Sequence, residues 1–276
     1  MAPTPHLLAA GSGWRVHDVV CTASSHDRPF EEQHEALCIA AVTSGTFRYR
    51  STQGSATLAP GAVLLGNEQH CYECSHEHSA GDRCLSFHFT PEFFEQIISA
   101  VPGARHISFD VPNLPPLPAL IPIVAAAEAA RADGDFAAFE ELALCLAGTV
   151  SSALAGAKRP RRTPSPRDEL RVAAVLRRIE RESHQPLALA DLASEAATSQ
   201  YHFLRLFLQV VGVTPHQYLM RTRLHEAAVR LRGSNESVLS VVLETGFNDV
   251  STFNSHFRRI MGMSPSAYRR LKGGVE

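Results

Sequence analysis

The strongest constraint on the fold is an internal repeat in the last third of the chain. The pattern F-x4-G-x-T-P-x2-Y runs from Phe207 to Tyr218, and F-x4-G-x-S-P-x2-Y follows it 50 residues later, from Phe257 to Tyr268. A pattern that recurs at a fixed period indicates one structural unit that the chain forms twice. We extend the alignment upstream at the same period, so that Leu189, Leu192, Ala196 and Phe203 lie opposite Leu239, Val242, Gly246 and Phe253.

Each copy of the repeat has the local pattern of a helix-turn-helix, in which a short helix, a tight turn and a longer helix follow one another. Ser199 and Asp249 can cap the longer helices through side-chain oxygens, and Gly246 suits a left-handed helix exit. An apolar stripe marks the inner face of each longer helix. The stripes are Phe203, Leu206 and Phe207 in the first copy and Phe253, Phe257 and Ile260 in the second. Helical periodicity predicts helices over 168–183, 189–197, 199–211, 215–231, 238–244, 249–261 and 265–271.

Polar side chains on the opposite faces are the candidates for DNA contacts. Arg can donate two hydrogen bonds to guanine, Asn and Gln pair with adenine, and Ser and Thr pair with either base. Thr214 and Ser264 precede prolines that begin new helices, whose free amides can bind phosphates. The candidates are Ser199, Gln200, Tyr201, His202, Arg205, Gln209 and Thr214 in the first copy and Ser251, Thr252, Asn254, Ser255, Arg258 and Ser264 in the second.

The charge of the chain is distributed unevenly. From Lys158 onward there are nineteen Lys and Arg against eleven Asp and Glu, a net charge of +8, whereas residues 1–157 carry a net charge of −10. A compact basic segment suits a polyanion such as double-stranded DNA. We therefore expect residues 167–276 to bind DNA on their own. The competing interpretation is a helical bundle whose polar faces are simply solvated.

The region from Leu170 to Tyr268 resembles the AraC/XylS family of transcription regulators. The resemblance rests on R-x-R-L-x2-A from Arg221 to Ala227, on E-T-G-F-x-D from Glu244 to Asp249 and on F-R-R-x2-G-M-S-P-x2-Y-R from Phe257 to Arg269. It implies two helix-turn-helices joined by one long helix and placed in successive major-groove segments. It also implies RNA polymerase as a partner and transcription activation as the commonest outcome.

Two positions depart from the family pattern. Family members often have a polar residue where this chain has Leu204 and Arg where it has Ser255. The family's base contacts are therefore not transferred to these positions.

The first 157 residues have the pattern of a sheet followed by helices. Short alternating segments at 37–42, 46–50, 62–65 and 85–89 are separated by turn residues such as Pro60-Gly61. The stretch from Gly54 to Gly61, with His70 further on, resembles the cupin-like sensor domain often attached to this family. We expect a multidomain α+β protein, with an N-terminal cupin-like β-barrel and flanking helices and an all-α C-terminal domain.

The cupin-like domain is expected to bind a small-molecule effector of unknown identity, in a pocket with an apolar lining and few polar groups. The His-x-His-x3-4-Glu ligand set of metal-dependent cupins does not occur around residues 34–45. We therefore expect no enzymatic activity and no required cofactor. A cupin-type metalloenzyme with a regulatory DNA-binding domain is the alternative, and an architectural DNA protein fits the acidic first domain poorly.

The predicted domains are joined by a linker at 158–166, which is basic, contains three prolines and has nothing to bury. Helices are predicted near 91–100, 123–132 and 136–157, and the last is long enough for a homodimer interface. The sequence shows no secretion signal and no apolar run of the length that a membrane span needs. These features predict a cytoplasmic protein with no membrane partner.

Cysteine and histidine are concentrated between residues 71 and 88. Thiolate and imidazole ligands suit zinc, and a hairpin of residues 72–78 with 83–89 would align several of them. The candidate ligands are Cys74, His76, His78 and Cys84. The spacing matches no standard zinc pattern, and cysteine is often buried as a small hydrophobe, so we commit to no metal site. A thiol redox sensor is a third interpretation.

Overall fold

The computed structural model describes residues 4–24, 27, 29–76, 81–104, 107–156 and 164–270. They divide into two compact units. Unit 1 lies within Met1–Ala132 and Phe136–Arg161, and unit 2 lies within Asp133–Asp135 and Arg162–Glu276.

Unit 1 contains two antiparallel sheets. The larger sheet has the strand order β1-β2-β9-β4-β7-β10, and the smaller has the order β3-β8-β5-β6. The strands are β1 (Thr4–Gly11), β2 (Trp14–Cys21), β3 (Phe30–Gln33), β4 (Leu37–Gly45), β5 (Phe47–Ser51), β6 (Gly54–Leu58), β7 (Val63–Gly66), β8 (Cys71–Ser75), β9 (Asp82–Phe89) and β10 (Asn113–Leu114). A turn forms at the predicted Gly61, with a φ angle of 89°, and another glycine with positive φ, Gly45 at 78°, ends β4.

The predicted closed barrel is wrong. Among the described residues no hydrogen-bonded ladder joins the two sheets, and β1, β10, β3 and β6 remain as edges. The sheets share a buried core to which Ala40, Leu64 and Cys84 contribute from the larger sheet and Tyr49 and Leu58 from the smaller. Alternating apolar residues suit a sandwich as well as a barrel, because both bury one face of each strand.

The hairpin of residues 72–78 with 83–89, which would have aligned the Cys/His candidates, does not form among the described residues. β8 pairs with β3 and β5 in the smaller sheet, whereas β9 pairs with β2 and β4 in the larger. The pattern of alternation fixes which residues share a face of a strand, but it does not choose the strand's partner.

Three helices accompany the sheets: α1 (Pro91–Ser99), α2 (Ile121–Asp133) and α3 (Phe139–Leu154), the last preceded by a 3₁₀ turn at Phe136–Ala138. The stretch Phe136–Leu154 is long and apolar enough to cross a membrane, but more than half of it is buried in the protein, as in a core helix. Leu144, Ala147 and Val150 are at most 1% exposed. This helix therefore offers little surface for the dimer interface that its length suggested.

Unit 2 is helical apart from its turns. Its helices are α4 (Pro166–Glu182), α5 (Leu189–Glu195), α6 (Gln200–Val211), α7 (Pro215–Gly233), α8 (Val238–Glu244), α9 (Val250–Met261) and α10 (Pro265–Arg270). Residues 158–163 of the predicted linker lie outside the described part of the chain. The linker's predicted end at Pro166 is too late, because Ser165 already caps α4: its Oγ accepts a hydrogen bond from the Asp168 amide at 3.2 Å.

Candidate nucleic-acid interface

The two longer helices of the repeat, α6 and α9, are here called the reading helices. Each begins at the predicted cap: Ser199 Oγ accepts from the His202 amide at 3.3 Å, and Asp249 Oδ1 accepts from the Thr252 amide at 2.7 Å. Each ends at a glycine in the left-handed conformation, Gly212 and Gly262. The two helices therefore have the same length and the same kinds of boundary.

Matching aromatic contacts attach each reading helix to the helix that follows it. Phe207 meets Tyr218 edge-to-face at 6.0 Å between ring centroids, and Phe257 meets Tyr268 in the same way at 5.4 Å. Both phenylalanines are fully buried. The repeated sequence therefore encodes a repeated core.

The predicted alignment upstream of the reading helices is off by one residue. Ala197 and Gly246 are the two left-handed positions of the turns, with φ angles of 51° and 88°, and they lie 49 residues apart. Ala196 and Thr245 are equivalent in the same way, since both are fully buried. Leu239, which the constant period placed opposite a buried leucine, is 55% exposed. The second turn is one residue longer than the first.

The face of α6 is less polar than predicted. Tyr201 is only 3% exposed, so its predicted placement on the outer face is wrong. The Arg205 guanidinium lies 5.7 Å from the centre of the Tyr201 ring, an arrangement that stabilises a cation over the ring's negative face. His202 and Gln209 are exposed, and Gln200 is half-buried. Of the five side chains predicted on this helix, all but Tyr201 are therefore exposed or half-buried.

The face of α9 carries more polar groups. Ser251 and Arg258 are exposed, and Thr252, Asn254 and Ser255 are half-buried.

Ile260, assigned to the inner stripe of α9, is 48% exposed. His256 takes an inner position instead, at 3% exposure. A polar residue at an inner position is hard to recognise from hydrophobic periodicity alone.

A short acidic segment of unit 2, Asp133–Asp135, contacts the second reading helix. Ser255 Oγ donates to Asp133 Oδ1 at 3.0 Å, and Arg259 donates to Asp133 Oδ2 at 2.5 Å. Asp135 pairs with His216 at 3.0 Å. Burial by itself raises the pKa of Asp135, but hydrogen bonds and charge from His216 and His256 outweigh this and hold it below its usual range.

Arg259 is not among the residues predicted to contact DNA. The sequence does contain a signal for its place, because Arg259 lies four residues after Ser255, the spacing of neighbours on one helix face.

The two predicted phosphate positions precede helices as expected. Thr214 Oγ1 accepts from the Gln217 amide at 3.3 Å at the start of α7, and Ser264 Oγ accepts from the Ala267 amide at 3.2 Å at the start of α10. One residue separates Thr214 from the left-handed Gly212, and one residue separates Ser264 from the left-handed Gly262.

Unit 1 contains a cavity of about 520 Å³ between its two sheets. Three of the lining residues are in contact: Ser86 Oγ lies 3.3 Å from Cys38 Sγ and 2.9 Å from His88 Nε2. Burial lowers the pKa of His88 to about 3 and that of His34 to about 4, so both rings are neutral near pH 7. The Nδ1 atom of His88 is buried with no hydrogen-bond partner in the described part of the protein.

The Cys/His candidates of the sequence are partly brought together. Cys74, His76 and Cys84 all line this cavity, although they come from different sheets. Burial raises the pKa of the Cys74 and Cys84 thiols well above the usual value. His78 lies outside the described residues.

Several comparisons with known proteins cover about a third of this chain. The profile of a helix-turn-helix domain family matches residues 192–271. The Transposon Tn10 TetD protein of Escherichia coli is 39% identical over 98 residues, which are 36% of this chain and 71% of that protein. A Streptomyces lividans protein named as an AraC-like transcription regulator is 34% identical over 99 residues, 36% of this chain and 33% of that protein.

Among solved structures, the DNA-binding domain of AdpA in complex with a target DNA is 33% identical, with a TM-score of 0.35, over 36% of this chain and 89% of that one. The chain thus spans most of the length of TetD but a third of the Streptomyces lividans protein.

Proposed function

The chain belongs to the AraC/XylS family of DNA-binding transcription regulators, and on that basis we propose that it recognises a specific duplex sequence with α6 and α9 in adjacent major-groove segments. The observation that supports this most is the repeated core beneath the two reading helices, which holds them on one connecting helix. α7 has 19 residues and is therefore about 28 Å long, close to the span needed between neighbouring groove segments.

In this proposal both reading helices contribute side chains that contact bases. The exposed Arg258 and Gln209 can each make paired hydrogen bonds to a base edge, and Ser251 and His202 can make single ones. The positive end of the α7 helix dipole can attract a phosphate, which positions the protein without reading sequence.

Unit 1 is proposed to bind a small effector in the cavity between its sheets. The volume is in the range of small-molecule sites. The lining is more polar than the sequence led us to expect, because charged residues such as Arg15 and Glu32 lie beside apolar ones such as Phe47. Neutral His88 with an unpaired Nδ1 can exchange a hydrogen bond with a polar group of the effector. Because burial raises the pKa of Cys38 to about 11, this thiol stays protonated and is a poor nucleophile. We therefore propose binding rather than catalysis for this cavity.

The regulatory output follows the family's commonest behaviour in this proposal. The protein would activate transcription by contacting RNA polymerase, in the cytoplasm, with effector binding in unit 1 changing its affinity for DNA or polymerase. A homodimer would let two copies occupy neighbouring operators.

Mapping the genomic binding sites of the protein gives the operator, and a binding assay with that duplex tests the role of the reading helices. Arg258→Ala should weaken specific binding by about 1 to 3 kcal/mol. The control is Arg181→Ala, which removes the same charge from an exposed side chain on α4, outside both reading helices. Equal weakening by the two substitutions would contradict the proposal, since it would indicate only a loss of general attraction to the phosphates.

A further inference from the structure

Three potential metal ligands meet at one end of the cavity in unit 1. One ligand atom each from Cys21, His76 and Asp82 lies within 4.8 Å of the other two. His76 Nε2 and Asp82 Oδ2 are 2.6 Å apart, with side chains only 2% and 8% exposed, and Cys21 is 5% exposed. A buried thiol beside a buried imidazole and carboxylate is the donor set of zinc sites.

The backbone holds these residues in place. Cys21 and Asp82 are direct partners on β2 and β9, and Asp82 is also the partner of Gly45 on β4. A side chain at Gly45 would place its Cβ 2.3 Å from the carbonyl oxygen of Gly81, so the strands approach as closely as glycine allows. The Gly81 amide donates to the Ala23 carbonyl at 2.7 Å, which closes the end of the ladder.

We propose that Cys21, His76 and Asp82 bind one divalent ion of the zinc class. Thiolate and imidazole select ions of intermediate softness, and a single carboxylate completes a three-residue site. Bonds of about 2.0 to 2.3 Å at tetrahedral angles place ligand atoms about 3.3 to 3.8 Å apart. His76 Nε2 and Asp82 Oδ2, now 2.6 Å apart, would therefore separate by about 1 Å, and pairs now near the 4.8 Å limit would approach by about the same amount. This inference concerns unit 1 alone and does not depend on the DNA-binding proposal.

The fourth position of a tetrahedral ion would face the cavity, because all three ligands line it. Cys84 supplies a further thiol close to the triad, with its Sγ 3.6 Å from Asp82 Oδ1. The site thus either takes Cys84 as its fourth ligand or leaves a position for a polar group of a molecule in the cavity.

The sequence alone could not assemble this set. Cys21 and Asp82 are 61 residues apart and come together only through strand pairing, so no short spacing motif exists. Of the candidates from the Cys/His-rich stretch, His76 belongs to the proposed triad.

The test uses the full-length protein and Zn²⁺, with Co²⁺ as a spectroscopic probe of thiolate coordination. The wild type should bind one equivalent of Zn²⁺ in competition with a chromophoric chelator, and its Co²⁺ form should show thiolate-to-metal charge-transfer absorption. Cys21→Ser should lose that absorption and weaken Zn²⁺ binding by about 100-fold or more, since even indirect partners of a metal site are worth 10- to 100-fold.

The matched control is Cys38→Ser, which exchanges another buried thiol of the same cavity, 3% exposed, outside the triad. It should bind Zn²⁺ like the wild type. If circular dichroism shows that Cys21→Ser does not fold, His76→Gln takes its place with the same expected loss of Zn²⁺ affinity. The proposal is overturned if the wild type binds no stoichiometric Zn²⁺, if its Co²⁺ form lacks the thiolate band, or if the triad variants bind as Cys38→Ser does.

Discussion

The reading helices α6 and α9 occupy the same place in two copies of one unit, yet their outward faces differ in chemistry. On α6, Tyr201 and Leu204 are buried and the polar surface is narrow, whereas α9 has serine, threonine, asparagine and arginine along its outer side. The buried aromatic contacts beneath them are nearly identical. The comparison teaches that the repeat specifies the scaffold, while the outer faces proposed to read DNA consist of residues that the repeat does not share.

Inserting five base pairs between the two half-sites of the operator tests whether the two copies act as one rigid body. The insertion rotates one half-site by half a turn of the duplex, so the helices on α7 can no longer reach both. Binding by the full chain should fall toward the non-specific level, a loss of about 4 to 10 kcal/mol. Footprinting and titration against an operator with the insertion placed outside the site would measure this. Undiminished affinity would show that the two helix-turn-helix copies bind independently.

Phe203→Ala and Phe253→Ala test whether the two cores are equivalent. Both side chains are fully buried at the same position of the repeat. Each substitution should destabilise unit 2 by about 3 to 5 kcal/mol, because it removes a large apolar side chain and leaves a cavity. Ile260→Ala is the control, since this side chain is 48% exposed. Urea unfolding followed by circular dichroism measures the three variants, and a large difference between the two phenylalanine variants would argue against equivalent cores.

Arg205→Ala tests whether the narrow polar face of α6 contacts bases. Arg205 stacks on Tyr201, which orients the guanidinium on the narrow polar face of α6. Its loss should weaken binding by about 1 to 3 kcal/mol and relax the preference at one base pair. Affinities for a set of duplexes with single base changes would reveal this. Uniform weakening on every duplex would instead identify Arg205 as a phosphate contact.

The two turns should respond unequally to the exchange of glycine and alanine. In Gly246→Ala, the new Cβ would lie 2.8 Å from the His184 carbonyl oxygen in a left-handed backbone, so about 1 to 2 kcal/mol of stability should be lost. Ala197→Gly relieves the same backbone strain but increases the freedom of the unfolded chain, and the two effects leave a change of about 0.5 kcal/mol or less. Thermal or urea unfolding of both variants provides the measurement, and equal losses would be the contrary result.

The helices of unit 2 could be predicted well from the sequence because their boundaries are local. Ser199, Asp249 and the prolines after Thr214 and Ser264 each act within one turn of their own position. The predicted range 238–244 coincides with α8. Caps and periodicity need only the neighbouring residues, and these are what a single sequence displays.

The features that sequence reasoning placed wrongly depend on distant parts of the chain. The partners of β8 and β9 and the open edges of the two sheets are set by pairing between strands far apart in sequence. The sequence places Tyr201 on the outer face of α6, but only its packing decides whether its ring is covered. The proposed metal ligands are of the same kind, since strand pairing brings Cys21 to Asp82.

The longer second turn determines where one recognition module could be cut out and exchanged for the other. Residues 250–261 can replace 200–211 without changing either junction, because both helices have 12 residues and the same boundaries. If the exchanged segment also includes α8, its first residue has to be the one 49 positions after the α5 residue that it replaces. Cutting at a constant 50 would rotate the incoming short helix by about 100° and bring the solvent-facing Leu239 to the buried place of Leu189. Hybrid regulators built from these two modules would therefore keep their folded core only with unequal cut points.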